Sequence, residues 1–223
     1  MTINIPEIIS SFLNKEKPDV LCIQEYNKEM KIDFTAYPYS YIHFRGKNIL
    51  GHAIFSKYPL INTYSFDFQD SYNNTLSADL VKGSDTLRIY NLHLQSLNIK
   101  PSVSYLQELD NEVLRKRIST RFVKQQEQLE TILKHKNNSK HPVIISGDFN
   151  NTPFSYVYHK VSEYMKDAFV EAGNGIGTTY LFEYYPMRID YIFASNELQI
   201  LSFNTIRKTF SDHYPITATV GWD

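Results

Sequence analysis

Val143-Ile144-Ile145-Ser146-Gly147-Asp148-Phe149-Asn150 decides how this chain is read. The β-branched run has the pattern of a buried strand. The residues after it put a carboxylate and an amide at the strand's end. Similar arrangements recur on either side. Gln24-Glu25 follows Val20-Leu21-Cys22-Ile23, and Asn91-Leu92-His93-Leu94 follows Leu87-Arg88-Ile89-Tyr90. Asp190 lies inside Arg188-Ile189-Asp190-Tyr191-Ile192-Phe193, and Ser211-Asp212-His213 comes after Ile200 to Ile206. Carboxylates and imidazoles gathered at strand ends supply what a hard metal ion and a phosphate ester need.

Outward from these clusters, Asn4-Ile5-Pro6-Glu7 reads as a capped helix start, continued by Ile8, Ile9, Phe12 and Leu13 at helical spacing. Tyr39 to Phe44, His52 to Ser56, Ile61 to Phe66, Thr75 to Val81 and Thr86 to Leu94 are expected strands, closely joined and therefore antiparallel. Pro101 to His135 is polar, charged and free of glycine. It is expected to be one or two helices, with Phe122, Gln126, Leu129 and Leu133 on the covered face and Val123 and Ile132 beside it. Ser155 to Val161 and Lys166 to Phe169 also read as helical, and Ile189 to Ala194, Ile200 to Ile206 and Ile216 to Val220 as the closing strands. No repeat, linker or compositional break divides residues 1–223, so a single layered α/β domain is expected.

The 223 residues are enough for a large core, and 42% hydrophobic content argues against disorder. A formal net charge of -1 provides no global attraction to nucleic acid or an anionic membrane, though a local cationic groove would be hidden in that sum. The single cysteine, Cys22, excludes an intrachain disulfide and a thiolate-held zinc, and reads as a buried structural thiol. No apolar stretch approaches the ~20 residues of a membrane span, and no signal peptide is visible. A soluble monomer is expected, with the cytoplasm favoured and no protein partner inferred.

Each candidate residue has an ordinary reading beside the chemical one. Glu25 and Asp212 offer oxygen ligands that suit Mg²⁺ or Mn²⁺, or are simply solvated. Asp148 can take a proton from water and Asn150 can donate to a phosphoryl oxygen from the same side of an extended segment; the stretch Asp148 to Pro153 is equally an Asx-type turn. His213 can donate to a phosphate with Asp190 orienting its ring, while Asp190 alone is a surface acid. His93 is a further phosphate contact or a structural histidine, and His43, His52, His135, His141 and His159 are left structural.

In this order, the clusters resemble the endonuclease/exonuclease/phosphatase superfamily, from Lys17-Pro18-Asp19 to His213-Tyr214-Pro215-Ile216. The resemblance implies a four-layer α/β/β/α sandwich of two mostly antiparallel sheets flanked by helices, and metal-dependent cleavage of a phosphoester. It implies Glu25 and Asp212 as metal ligands, Asp148 at the attacking water with Asn150 as its amide partner, His213 oriented by Asp190 on the scissile phosphate, and His93 as a second contact. The family opens with a strand ending in asparagine, whereas this chain opens with the following helix. The expectation is an N-terminally shortened chain, whose parent can carry a membrane anchor, or a variant without that strand. A catalytically silent phosphate- or nucleic-acid-binding domain is the corresponding alternative.

Substrate choice belongs to the loops. Ser96 to Arg121 is the largest insertion, and Arg115, Lys116, Arg117, Arg121 and Lys124 read first as a solvated helix face, with contact to a polyanion such as DNA or RNA as the alternative. His93-Leu94-Gln95-Ser96 with Arg121 and Gln125-Gln126 is mildly similar to tyrosyl-DNA phosphodiesterases and to sphingomyelinases, so a phospholipid substrate is the second enzymatic reading.

Overall fold

The structure is a computed structural model that describes residues 5–207 and 211–222. In chain order, the first half holds α1 (Ile5–Glu16), β1 (Val20–Asn27), β2 (Tyr39–His43), β3 (Leu50–Ser56), β4 (Leu60–Ser65), β5 (Thr75–Lys82), β6 (Asp85–His93), α2 (Val103–Glu108) and α3 (Asn111–Asn137). The second half holds β7 (Val143–Asp148), α4 (Tyr156–Ser162), β8 (Met165–Asp167), α5 (Ala168–Ala172), β9 (Tyr180–Phe182), β10 (Tyr185–Met187), β11 (Asp190–Ser195), β12 (Leu198–Thr205) and β13 (Ile216–Trp222). The expected helix cap, Asn4, lies outside the described residues, as do the side chains of Pro6 and Ile8.

A six-stranded sheet in the order β4-β5-β6-β7-β11-β8 organises the molecule. All its pairs are antiparallel except β6 with β7. Side chains alternate across it. Tyr90, Ile145 and Phe193 point to one face, where they pack with Leu129 and Ile132 of α3 and Val157 and Val161 of α4. Ile89, Ile144 and Ala194 point to the other face and meet Val20 and Cys22 of β1, Ile200 of β12 and Val220 of β13. That second face is covered by separately hydrogen-bonded sheets, β1-β3-β2 and β12-β13. Ile9 and Leu13 of α1 pack on the far side of the first of these, against Leu21, Ala53 and Phe55. Among the described residues β1 pairs with β3 alone. Burial pushes the Cys22 thiol up to about 11, against a hydrogen bond with Ser146 that lowers it.

Several expectations are corrected. α3 faces the core with the expected Leu129, Ile132 and Leu133, but Gln125 and Gln128 are buried on that side as well, while Phe122, Val123 and Gln126 are exposed. Apolar periodicity misses buried glutamines, whose amides here bind loop backbone instead of water. Lys166 is in a strand, not a helix, and α5 starts at Ala168. The reason is Asp167, which caps Phe169 N at 2.9 Å and accepts from Arg188 at 2.6 Å and Tyr158 Oη at 2.8 Å, holding the preceding backbone extended along β11. The hairpin β9–β10 was not expected, because its turn carries Glu183 at φ 54 where glycine or asparagine would announce it. Glu25 does not end β1; it sits inside it, at φ 52, where the register with β3 shifts between Ile23 and Tyr26.

Candidate active site

Register builds the centre. In the parallel β6–β7 pair His93 stands opposite Asp148, and in the antiparallel β7–β11 pair Asp148 stands opposite Asp190. Adjacent strands thus end in one row, His93-Asp148-Asp190, on the face turned toward β1. Along β7 the row closes an apolar-to-polar gradient from Ile144 through Ser146 to Asp148. Gly147 lets the strands approach: it holds φ +142, and a Cβ there would meet the Leu92 carbonyl oxygen at 1.9 Å.

His213 arrives from the segment before β13 and places Nδ1 2.9 Å from Asp190 Oδ2. Thr179 locks the two together. Its hydroxyl oxygen accepts from the backbone N–H groups of Ile189 and Asp190 at 3.0 and 3.1 Å, and its carbonyl accepts from Tyr214 N at 2.7 Å. Nothing in the sequence around Thr178-Thr179 signals this role. Burial opposes a charge on His213, but the hydrogen bond and charge of Asp190, with Asp148 and Asp212 adding, push its pKa up to about 9. Asp148 is held well above the carboxylate range by burial and by the Asp190 charge, against the lowering effect of His213 and the Asn150 N–H.

Asp148 and Asn150 do not lie on an extended segment. The chain turns left-handed at Asn150, φ 50. Its N–H donates to Asp148 Oδ1 at 2.6 Å, and its side-chain amide donates to Asp148 Oδ2 at 2.9 Å and to the Leu94 carbonyl at 3.0 Å. The Asx turn and the chemical pairing are one geometry, in which Asn150 orients Asp148 and ties the turn to Leu94. Behind the turn, Gln125 of α3 donates to the carbonyls of Gln95 at 2.8 Å and Asn150 at 3.3 Å, and accepts from Asn151 at 2.8 Å.

His93 places Nε2 3.5 Å from Asp148 Oδ2 and Nδ1 3.3 Å from Nε2 of the buried His52. Burial, with the like charges of His52 and His213, lowers the His93 pKa to about 3. His52 is also lowered, to about 4, by burial and the His43 charge, against Asp67. Because the unfolded chain takes up a proton on His52 near pH 6.5 and the folded one only near 4, folding stability falls as pH drops through that window, by about 3 kcal/mol from this residue. Urea midpoints measured across the window check this. His52→Gln flattens the slope, and an unchanged slope would assign the acid sensitivity elsewhere.

Glu25 is exposed at the β1 bulge, and its charge reaches Asp148. Asn91, unnoticed as a structural residue, holds that bulge: it donates to the carbonyls of Ile23 and Ala53, each at 2.9 Å, and accepts from Gln24 at 2.5 Å. Asp212 is exposed, accepts from Ser211 Oγ at 3.1 Å, and its charge reaches His213. Asp148, Asp190 and His213 each offer a ligand atom within 4.8 Å of the others, close enough to share a metal ion. A donor set dominated by carboxylates, with one aspartate pressed toward its neutral form by a neighbouring charge, fits a hard divalent cation.

The chain belongs to the endonuclease/exonuclease/phosphatase family, whose model matches residues 1–213. Members of this family are metal-dependent phosphoesterases. No curated protein matches the chain in sequence. Among solved structures it is similar to a functionally unknown conserved protein from Enterococcus faecalis, with TM-score 0.73, 17% identity and coverage of 98% of this chain and 91% of that one. A D. rerio TDP2 humanized by 14 mutations matches with TM-score 0.73 and 17% identity over 97% of this chain and 90% of that one. A mannosyl-6-phosphatase from Bacteroides thetaiotaomicron matches with TM-score 0.70 and 16% identity over 98% and 91%. At these identities the likeness is one of fold. Among the described residues no helix is long and apolar enough to cross a membrane.

Proposed function

We propose that this protein hydrolyses a phosphoester by in-line attack of water, assisted by Mg²⁺ or Mn²⁺, within a single α/β/β/α four-layer domain. The packing of α1, β1-β3-β2, the six-stranded sheet and α3 with α4 in successive hydrophobic clusters supports that layering. The observation that carries the chemistry is the row His93-Asp148-Asp190 with His213 held on its end.

Asp148 accepts the proton of the attacking water. Its raised proton affinity suits a base, and Asn150 fixes the direction of its oxygens. His213 is an imidazolium at neutral pH. Its Nδ1–H is held by Asp190, and Nε2–H is the donor directed to a phosphoryl oxygen, where it stabilises charge that develops during attack. His93 has its ring nitrogens beside His52 and Asp148, so it positions Asp148 and maintains a neutral wall. Glu25 and Asp212, exposed at the rim, would hold the cation, since Asp190 and His213 engage each other. When bound, the cation supplies Lewis-acid stabilisation of the phosphoryl oxygens.

Turnover of bis(p-nitrophenyl) phosphate with and without Mg²⁺ tests the proposal, and absence of metal-dependent turnover would refute it. Glu25→Gln raises the Mg²⁺ concentration at half-maximal rate by roughly tenfold or more, the cost of losing one charged ligand. An unaltered Mg²⁺ titration would remove Glu25 from the ligand set.

A phospholipid phosphodiester is the second reading. Exposed rings favour it: Phe154 is 90% exposed just after the Asn150 turn, and Tyr184 is 92% exposed at the tip of the hairpin whose Tyr180 ring lies 4.9 Å from that of His213. Failure to cleave sphingomyelin in vesicles would remove it.

A further inference from the structure

His52 interrupts an apolar run in β3, where Ala53, Ile54 and Phe55 follow it and all four are buried. Side chains alternate along a strand, so His52 points the way Ile54 does, into the layer that Ile54 fills with Leu76 and Ala78 of β5. It reaches β6, where its Nε2 lies 3.3 Å from Nδ1 of His93. The two residues are 5% and 6% exposed. A polar ring at such depth is costly unless its nitrogens are matched donor to acceptor.

Both rings are neutral at pH 7, because burial holds their pKa values at about 4 and about 3. A neutral imidazole has one N–H and one bare nitrogen. A single proton therefore lies between His52 Nε2 and His93 Nδ1, and either ring can own it. The far nitrogen of His93 decides which. It stands 3.5 Å from Asp148 Oδ2. Beside an ionised Asp148 that nitrogen carries its hydrogen, since a bare one would set lone pair against lone pair. His93 is then bare at Nδ1, and His52 supplies the proton between the rings.

The effect passes to Asp148. Its Oδ2 receives the Asn150 side-chain amide at 2.9 Å and faces His93 Nε2–H. Among the described residues Oδ1 receives the Asn150 backbone N–H alone, at 2.6 Å. The lone pair left open is on Oδ1.

We infer that His52 is a positioning residue: its Nε2–H holds His93 in the Nε2–H tautomer, which occupies Asp148 Oδ2 and leaves Oδ1 to take the proton of the attacking water. The proton step rests on the phosphoesterase reading; the tautomer does not. One O–H bond of water breaks, its proton forms the new O–H bond on Oδ1, and the water oxygen keeps the electron pair that attacks phosphorus. His52 and His93 retain their own protons.

Nitrogen NMR of the imidazole rings, recorded in EDTA without substrate, reads which nitrogen of His93 is protonated. In the wild type it is Nε2. His52→Met fills the layer without a donor, and His93 then divides between its two tautomers. His52→Gln offers an amide N–H in the same place and returns the Nε2–H form. Hydrolysis of bis(p-nitrophenyl) phosphate follows the tautomer: kcat falls roughly tenfold to 100-fold in His52→Met at an unchanged KM, and recovers in His52→Gln. A role in packing alone would lower the melting midpoint of both variants and leave the tautomer where it was. A wild-type His93 protonated on Nδ1 would overturn the inference, and that spectrum needs no variant to fold. An unmoved tautomer in His52→Met would overturn it as well. A wild type with the stated tautomer but no turnover of the diester would instead overturn the phosphoesterase reading and leave the hold of His52 on His93 standing.

Discussion

Asp148→Asn lowers kcat/KM by roughly 10²- to 10⁴-fold, the range of a general base, and does not lower the melting midpoint measured in EDTA. The two halves of this expectation have one origin. Burial and the Asp190 charge make ionisation of Asp148 costly in the folded protein, so its folded pKa is raised well above the unfolded value. Between those values the folded chain binds more protons than the unfolded one, and stability falls as pH rises through the window. At neutral pH an amide removes that penalty while keeping an acceptor for Asn150 N. A site built for catalysis at the expense of stability behaves in this way. Equal losses of activity and stability would show that Asp148 serves only the Asx turn.

Asp190→Asn lowers kcat by roughly 10²- to 10³-fold and moves the basic limb of the pH–rate profile to lower pH. His213 owes its pKa of about 9 to the hydrogen bond and charge of Asp190, which outweigh its burial. In the wild type the imidazolium persists until pH approaches 9, so activity that needs it declines only above that value. With a neutral partner, burial and the weaker hydrogen bond bring the limb down toward neutrality. The profile of kcat/KM decides between the roles open to Asp190. A lower rate with an unmoved basic limb would mean that Asp190 acts as a metal ligand in the Asp148-Asp190-His213 cluster rather than through His213.

Legibility in the sequence followed the range of the forces involved. β6, β7 and β11 alternate apolar residues toward two buried faces, so their existence and the position of Asp148 and Asp190 near strand ends are written locally. Asp212 and His213 announce themselves as a pair. Gln125, Gln128 and Asn91 do not, because a polar residue at an interior position has no local mark; only the loop carbonyls it meets show why it is buried. Thr179 is invisible for the same reason, and the β9–β10 hairpin because Glu183 takes a backbone conformation its side chain does not favour.

Local spacing therefore marked the candidate residues, and the ordered clusters pointed to the family that the match over residues 1–213 shows. It did not settle who stands beside whom. That His93, Asp148 and Asp190 share a row follows from the register of β6 and β11 on β7, and the 2.9 Å contact of His213 with Asp190 from a segment that returns 23 positions later in the chain. The hydrogen bond from Lys124 of α3 to the Asp70 carbonyl, in the loop between β4 and β5, likewise joins positions 54 residues apart. Periodicity is imposed by each element's own backbone geometry; adjacency is decided by which elements bury each other's surfaces, and that energy appears only once the chain has packed.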